Sequence, residues 1–331
     1  MTEYGIGIIG AGHYLSSKIQ TNEELCAVIP GLTQEWIIAK TGIKRRHHLS
    51  ESETASSLAI EACQRAIAKA NIAQKQIGLV IVASFSQDYL FPPMSAKIHS
   101  YFNLSKDCQI LDVNTNCVGL VTALTIAAER MKNDPSIINA LVIGVEVLSK
   151  FTNPSDQDTA VYFSDGASAV VLGKVGEHVG FKSAKFMTDS STYESVRMRG
   201  GGSSFPIAEK TNDLKVLYTE QNGLATWKQA VTNLPIVIQK LLDHESLKIH
   251  EIDFIIFHQA NGLLIDYVMK KMKIPVNKTY TNIEEVGNTG SASIGIALSE
   301  AYSKGLIKNN DKLVLAGVGA GFNFGACLFT A

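Results

Sequence analysis

The chain has 331 residues, 46% of them apolar and 18% charged, enough to bury a sizeable core as two domains or as one unit of two similar halves. Its 30 Lys and Arg balance 31 Asp and Glu to a net charge of −1, which sets up no field for nucleic acid or an anionic membrane. No apolar run reaches the roughly 18 residues of a membrane span, and five cysteines without a CxxC pair argue against a disulfide framework or a zinc site and for a reducing cytoplasm.

The opening GIGIIGAG reads as a first strand, without the basic leader and cleavage site of a signal peptide. Gly10-Ala11-Gly12 follows an apolar run, but the third glycine of a dinucleotide fingerprint falls on Leu15. A helix over 56–70 then leads through NIAQKQ into a strand at 77–83. DVNTNCVGLVTALTIAAERM (112–131) is a polar strand end followed by a helix of small residues, and INALVIGVEV (138–147) is the next strand. RMRGGGSS (197–204) reads as a mobile loop, and it lacks the GK[ST] ending of a phosphate cradle.

The pattern then returns. A helix over 230–242 leads through LKIHE into a strand at 252–257, EEVGNTGSASIGIALSEAY (284–302) is again a polar strand end with a small-residue helix, and DKLVLAGVGA (311–320) is again a strand. Ile77 and Ile252 are 175 residues apart and Gly144 and Gly317 are 173 apart, so the register holds. This predicts an α/β fold made of a duplicated unit, with halves 1–173 and 174–331 sharing one core. Ligands in such folds gather at the carboxyl ends of strands.

Three polar interruptions sit at those ends: Asn114–Cys117, His258–Asn261 and Gly287–Ser291. Free cysteines are most often packing residues, and Cys26, Cys63, Cys108 and Cys327 are read that way. Cys117 differs because polar residues precede it and a helix follows, where backbone N–H groups and the helix dipole favour a thiolate. His258 ends an apolar strand, where an imidazole serves as donor or base; alone it is more often structural. Asn288 lies in a glycine-rich turn, where an ordinary turn or cap role competes evenly.

TNCVG (115–119), FHQANGLL (257–264), VGNTGSASIG (286–295) and GVGAGFNFGACLF (317–329) resemble the motifs of ketoacyl-acyl-carrier-protein synthase III, of the thiolase superfamily. The similarity extends to GIGIIGAGHYLSSKIQTNEEL, EWIIAKTGIKRRH and SDGASAVVLG, and so runs the length of the chain. It implies the thiolase fold, five-layered αβαβα from two duplicated halves, and a homodimer. It also implies no cofactor or metal beyond acyl-CoA or acyl carrier protein phosphopantetheine thioesters as substrates. Cys117 would carry the acyl group. His258 and Asn288 would activate a malonyl thioester for decarboxylative Claisen condensation, and the backbone N–H groups of Cys117 and Ala320 would hold the oxyanion. By the same resemblance Trp36, Lys40, Phe91, Gln157, Gly223, Trp227 and Asn261 would bind substrate, with Phe91 capping the partner subunit's acyl pocket.

The family's best-known members have Arg where Lys40 and Gln157 stand, Phe where Trp227 stands, and a carrier-docking Arg at Leu263. Those changes point to a specialised ketosynthase loaded from acyl carrier protein or a non-standard acyl-CoA, with Lys270, Lys271 and Lys273 as a landing surface. Non-decarboxylating acyl transfer and a non-catalytic partner subunit stay open as alternatives. A dinucleotide-binding protein fails on its fingerprint, and a hydrolase lacks a GxSxG elbow.

Overall fold

The computed structural model describes residues 4–206 and 213–331. Nine strands build two main sheets. The first contains β1 (Gly5–Tyr14), β2 (Ile77–Ala83), β3 (Gln109–Val113), β4 (Asn139–Val147) and β5 (Asp165–Val175), in spatial order β1-β5-β4-β2-β3. The second contains β6 (Gly180–Thr188), β7 (Phe254–Phe257), β8 (Lys312–Gly319) and β9 (Asn323–Thr330), in order β7-β8-β9-β6.

The strand directions repeat as well. β2 and β4 are parallel, as are β7 and β8, while β4 with β5 and β8 with β9 are antiparallel. β1 and β6 each complete their sheet antiparallel to the strand of that pair. The duplication expected from the 173–175 residue offset is therefore present strand by strand. Only the β3 position differs, because its counterpart beside β7 is a single bridge from Ile255 to Thr279. The expected division after residue 173 falls inside β5, and the chain crosses between sheets at Gly176–Val179.

Side-chain alternation shows the layering. On β2, Leu79, Ile81 and Ala83 enter a central cluster, while Val80 and Val82 enter an outer one. On β8, Leu313 and Leu315 face the same centre, and Val314, Ala316 and Val318 face the opposite outside. Both sheets are covered on both sides, which is why their strands read as near-continuous apolar runs.

The helices fill the remaining layers. α1 (Ala55–Ala70) covers the outside of the first sheet, and α3 (Gly223–His244) with α4 (Gly262–Met272) covers the outside of the second. α2 (Gly119–Asn133) and α5 (Ser293–Ser303) lie between the sheets, giving αβαβα. α1 starts where the Thr54 hydroxyl accepts the Ser57 N–H, and it ends at Asn71 in the left-handed region. The Gly10-Ala11-Gly12 run is a packing feature: a Cβ at Gly12 would lie 2.6 Å from the Ala62 carbonyl oxygen of α1.

Phe329 of β9 is 1% exposed and meets Phe181 of β6 edge-on at 5.4 Å between centroids. Phe329→Ala is expected to lower unfolding stability by about 3–5 kcal/mol, read as a lower urea midpoint with an unchanged m-value. A loss below about 1 kcal/mol would mean that this junction is not a packed core.

Candidate active site

After β3 the chain makes a short 3-10 turn, Asn116–Val118, and runs directly into α2. Cys117 thus sits one turn before the helix, as its sequence context predicts. Asn116 is held at φ 50°, and its carboxamide donates to the Ala320 carbonyl at 3.2 Å. Asn323 donates to the same oxygen at 3.2 Å, so the turn after β8 is tied to the turn before α2. Cys117 and Ala320 line one cavity of about 120 Å³, whose other walls include Phe85, Phe151, Phe163 and Met198. The sulfur is therefore not sealed in the core, although little water reaches it.

That seclusion reverses one expectation. Burial, with Glu146 nearby, pushes the Cys117 thiol up to about 12, and the residue's own backbone N–H offsets only part of this. Desolvation is the largest influence on this sulfur and favours the thiol.

His258 follows β7, its backbone N–H donating to the Ala316 carbonyl at 2.8 Å. Its Nδ1 lies 2.6 Å from the buried Ser293 hydroxyl, which also accepts the Gln259 N–H at 3.2 Å. With an acceptor position used there, the Ser293 O–H is available to Nδ1, and the ring proton then sits on Nε2. Burial holds the imidazole down at about 3, so it is neutral at physiological pH. Asn288 is fixed by its backbone, donating to Tyr162 and accepting from Ser164, both at 2.9 Å. Its Oδ1 accepts the Gly290 N–H at 2.9 Å, which leaves the NH₂ end as the free one.

Glycines let these segments meet. A Cβ at Gly319 would lie 2.5 Å from the Thr115 carbonyl oxygen. One at Gly317 would contact His258 Cβ at 3.4 Å and Val118 at 3.7 Å. The end of β8 is thus flanked by His258 on one side and the Cys117 turn on the other.

A second cleft of about 670 Å³ opens beside Asn288 and is lined also by Lys40, Gly223, Trp227, Asn261 and Leu263. Four of the residues expected to bind substrate are therefore gathered on it. Asn261 is there as a helix cap: its oxygen accepts from Leu263 and Leu264, and its nitrogen donates to the Lys40 carbonyl at 3.0 Å. Trp36 and Gln157 are surface residues outside this lining, although Asp158, next to Gln157, belongs to it. Phe91 is 83% exposed, far from burial in its own subunit.

Three features escaped the sequence reading. Ser293, which holds the His258 ring, lies inside the quoted VGNTGSASIG motif but carries no spacing signal of its own. The second is a ribbon. Val196–Met198 pairs with Thr219–Gln221 and supplies Val196, Arg197, Met198 and Thr219 to the Cys117 cavity. The start of RMRGGGSS is accordingly a strand, not a loop, pinned by Arg197 and Arg199 to Glu220. Strands of three residues are too short to show a period. The third is Glu146, buried beneath both turns. Among the described residues, no group of three His, Cys, Asp or Glu is placed to hold a metal ion.

By nitrogen NMR of the imidazole, His258 is expected to remain the neutral Nε2–H form between about pH 5 and 8, and Ser293→Ala to lose that single tautomer. The folded value lies below that of the unfolded chain, so this histidine's stabilising contribution is complete above about pH 6.5 and is lost as pH falls toward 3. A charged ring near pH 6 would contradict the assignment.

Comparison with known proteins places the whole chain in one family. A family model described as 3-oxoacyl-[acyl-carrier-protein (ACP)] synthase III matches residues 111–190, and the corresponding C-terminal model matches residues 242–331. The β-ketoacyl-[acyl-carrier-protein] synthase III of Vesicomyosocius okutanii is 37% identical over 97% of each chain, and that of Fusobacterium nucleatum is 33% identical over 98% of each. The crystal structure of 3-oxoacyl-[acyl-carrier-protein] synthase III from Aquifex aeolicus superposes with a TM-score of 0.89 at 30% identity, over 99% of this chain and 100% of that one. With motifs, strand order and full-length similarity in agreement, the chain belongs to the β-ketoacyl-[acyl-carrier-protein] synthase III family and has the thiolase fold.

Proposed function

We propose that the protein is a ketosynthase, forming a β-ketoacyl thioester by decarboxylative Claisen condensation in fatty-acid or specialised-metabolite synthesis. The observation that carries this reading is that the turn bearing a cavity-lining thiol packs against the segments that bear two neutral donors, with Gly317 between His258 and Val118 and Gly119 against Ser291. Cys117 takes the acyl group from a thioester, and the thiol proton leaves with the departing carrier thiol. A malonyl thioester then enters with its carbonyl oxygen toward His258 Nε2–H and the Asn288 NH₂. Loss of carbon dioxide places negative charge on that oxygen, where two fixed neutral donors stabilise it without reorganising. The enolate carbon attacks the acyl-Cys117 carbonyl. The backbone N–H groups of Cys117 and Ala320 hold the oxyanion until the sulfur leaves and regains a proton.

Two further features bear on substrates. The cavity beside Cys117 is walled largely by Phe, Leu, Val and Met side chains, which suits an apolar acyl group. At the mouth, Gln157 brings no charge to a coenzyme A phosphate, whereas Lys270, Lys271 and Lys273 are exposed. This favours an acyl carrier protein as donor. The reading also includes a cytoplasmic homodimer in which Phe91 of one subunit closes the acyl pocket of the other. In it, residues 1–173 carry the nucleophile and 174–331 the activating pair, and Trp36 stacks at the cleft mouth.

Intact-protein mass spectrometry should show one acyl group on Cys117 after incubation with acyl thioesters, and none on Cys117→Ala. His258→Ala and Asn288→Ala should still acylate but release carbon dioxide from malonyl thioester about 10²–10³-fold more slowly. Acylation of the parent protein without any carbon dioxide release would replace this reading with non-decarboxylating acyl transfer.

A further inference from the structure

Glu146 is a fully buried carboxyl in β4 to which the condensation above assigns nothing. Its hydrogen-bond partners are neutral. The Ser86 hydroxyl donates to Oε2 while accepting the Val147 N–H at 2.9 Å, and the Phe85 N–H is shared between both carboxyl oxygens at 3.3 and 3.4 Å. Ser291 decides the protonation. Its hydroxyl lies 2.9 Å from the Ala83 carbonyl oxygen and 2.7 Å from Glu146 Oε1, yet it has one proton. A carbonyl only accepts, so both contacts are hydrogen bonds at once when Oε1 carries a proton and the hydroxyl donates to Ala83; an ionised Oε1 would take the hydroxyl proton and leave the Ala83 contact unbonded. Burial likewise pushes this carboxyl up to about 8.

Glu146 also bears on both parts of the site, by contact on one and by charge on the other. Gly290 has φ 54°, and a Cβ there would lie 2.7 Å from Glu146 Cγ, so the Asn288–Ser291 turn rests on this side chain. From the other half, the charge of Glu146 adds to the proton affinity of the Cys117 sulfur. The remaining groups packed on that face are uncharged: Gly166 opposite it on β5, Phe85 and Ser86 after β2, and Gly290 and Ser291 before α5. α1 covers the opposite face of β4. Among the described residues, the titratable group on which the charge of Glu146 acts is the Cys117 thiol.

We propose that Glu146 is a positioning residue: as a neutral acid it donates to Ser291, ties the Asn288 turn to the strand end beneath Cys117, and inhibits when it ionises. Its effect on condensation rests on the function proposed above, but its effect on the thiol does not. The sign follows from the charge. Below about pH 8 the acid is neutral and the sulfur feels no carboxylate; above it, a buried negative charge opposes thiolate formation.

Glu146→Gln keeps the shape, donates to Ser291 through its NH₂ and cannot ionise, whereas Glu146→Ala removes the donor. Iodoacetamide labelling of Cys117, followed by mass spectrometry, should proceed at matching rates in the parent and in E146Q near pH 6, and about tenfold faster in E146Q near pH 9.5. Condensation kcat/KM at about pH 7 should fall at least tenfold in E146A and be restored to within about threefold of the parent in E146Q. A labelling ratio that does not change with pH would overturn the proposal, as would a glutamine variant no better than alanine. If the parent releases no carbon dioxide at all, the ketosynthase reading fails, and the labelling comparison still decides whether Glu146 holds its proton.

Discussion

Where the two sheets end, two backbones come so close that no side chain fits between them. Gly319 approaches the Thr115 carbonyl, and Gly317 leaves room for His258 on one side and the Cys117 turn on the other. Everything chemical in the molecule depends on that contact. On the proposed reading the nucleophile comes from the turn before α2 and its activating pair from the turns after β7 and before α5, so the site exists only while these segments are pressed together. The central layer supplies that pressure, with α2 and α5 burying apolar faces against both sheets. Packing across this junction and assembly of the site are one event.

A consequence of so tight a junction is dryness, and dryness sets every charge in it. Burial raises the thiol of Cys117, raises the carboxyl of Glu146 and lowers the imidazole of His258. All three shifts favour the uncharged form, as they must where no counter-ion is built in. The resting site is accordingly neutral. That suits a reaction whose charge appears only transiently on an oxygen, because donors fixed in a dry pocket stabilise new charge better than donors already engaged with an existing one.

The sequence carried the architecture because duplication leaves a trace that any reader of strand spacing can find. It also carried two of the three polar interruptions as strand ends, after β3 and β7; the third, Gly287–Ser291, follows a short helix, Ile283–Val286, because the polar Glu284-Glu285 stretch before it forms a helical turn and does not pair in a sheet. It misled on the thiol, because a helix terminus is a local feature and desolvation is a tertiary one, and here the tertiary effect is larger. The Val196–Met198 ribbon was hidden for a related reason: its strands are three residues long, held by cross-strand charge pairs with Glu220 and by Val196 packing on a distant cluster, and so leave no apolar period. Ser293 and Glu146 were invisible because their partners, at His258 and Ser291, are 35 and 145 residues away in the chain.

The asparagines show how local bonding assigns chemistry among similar side chains. Asn116 and Asn261 stand in polar turns that follow strands and Asn288 in one that follows the short helix Ile283–Val286, and by residue type any of them offers an NH₂ to a substrate. Asn116 gives its NH₂ to the Ala320 carbonyl, and Asn261 gives its own to the Lys40 carbonyl while its oxygen caps α4. Asn288 is bound through its oxygen instead, by the Gly290 N–H two residues on, and this aims the donor end outward. The direction of one backbone N–H therefore separates a structural carboxamide from an available one. That N–H points as it does because Gly290 holds φ 54° above Glu146, which places the carboxyl beneath the turn at the origin of the donor geometry.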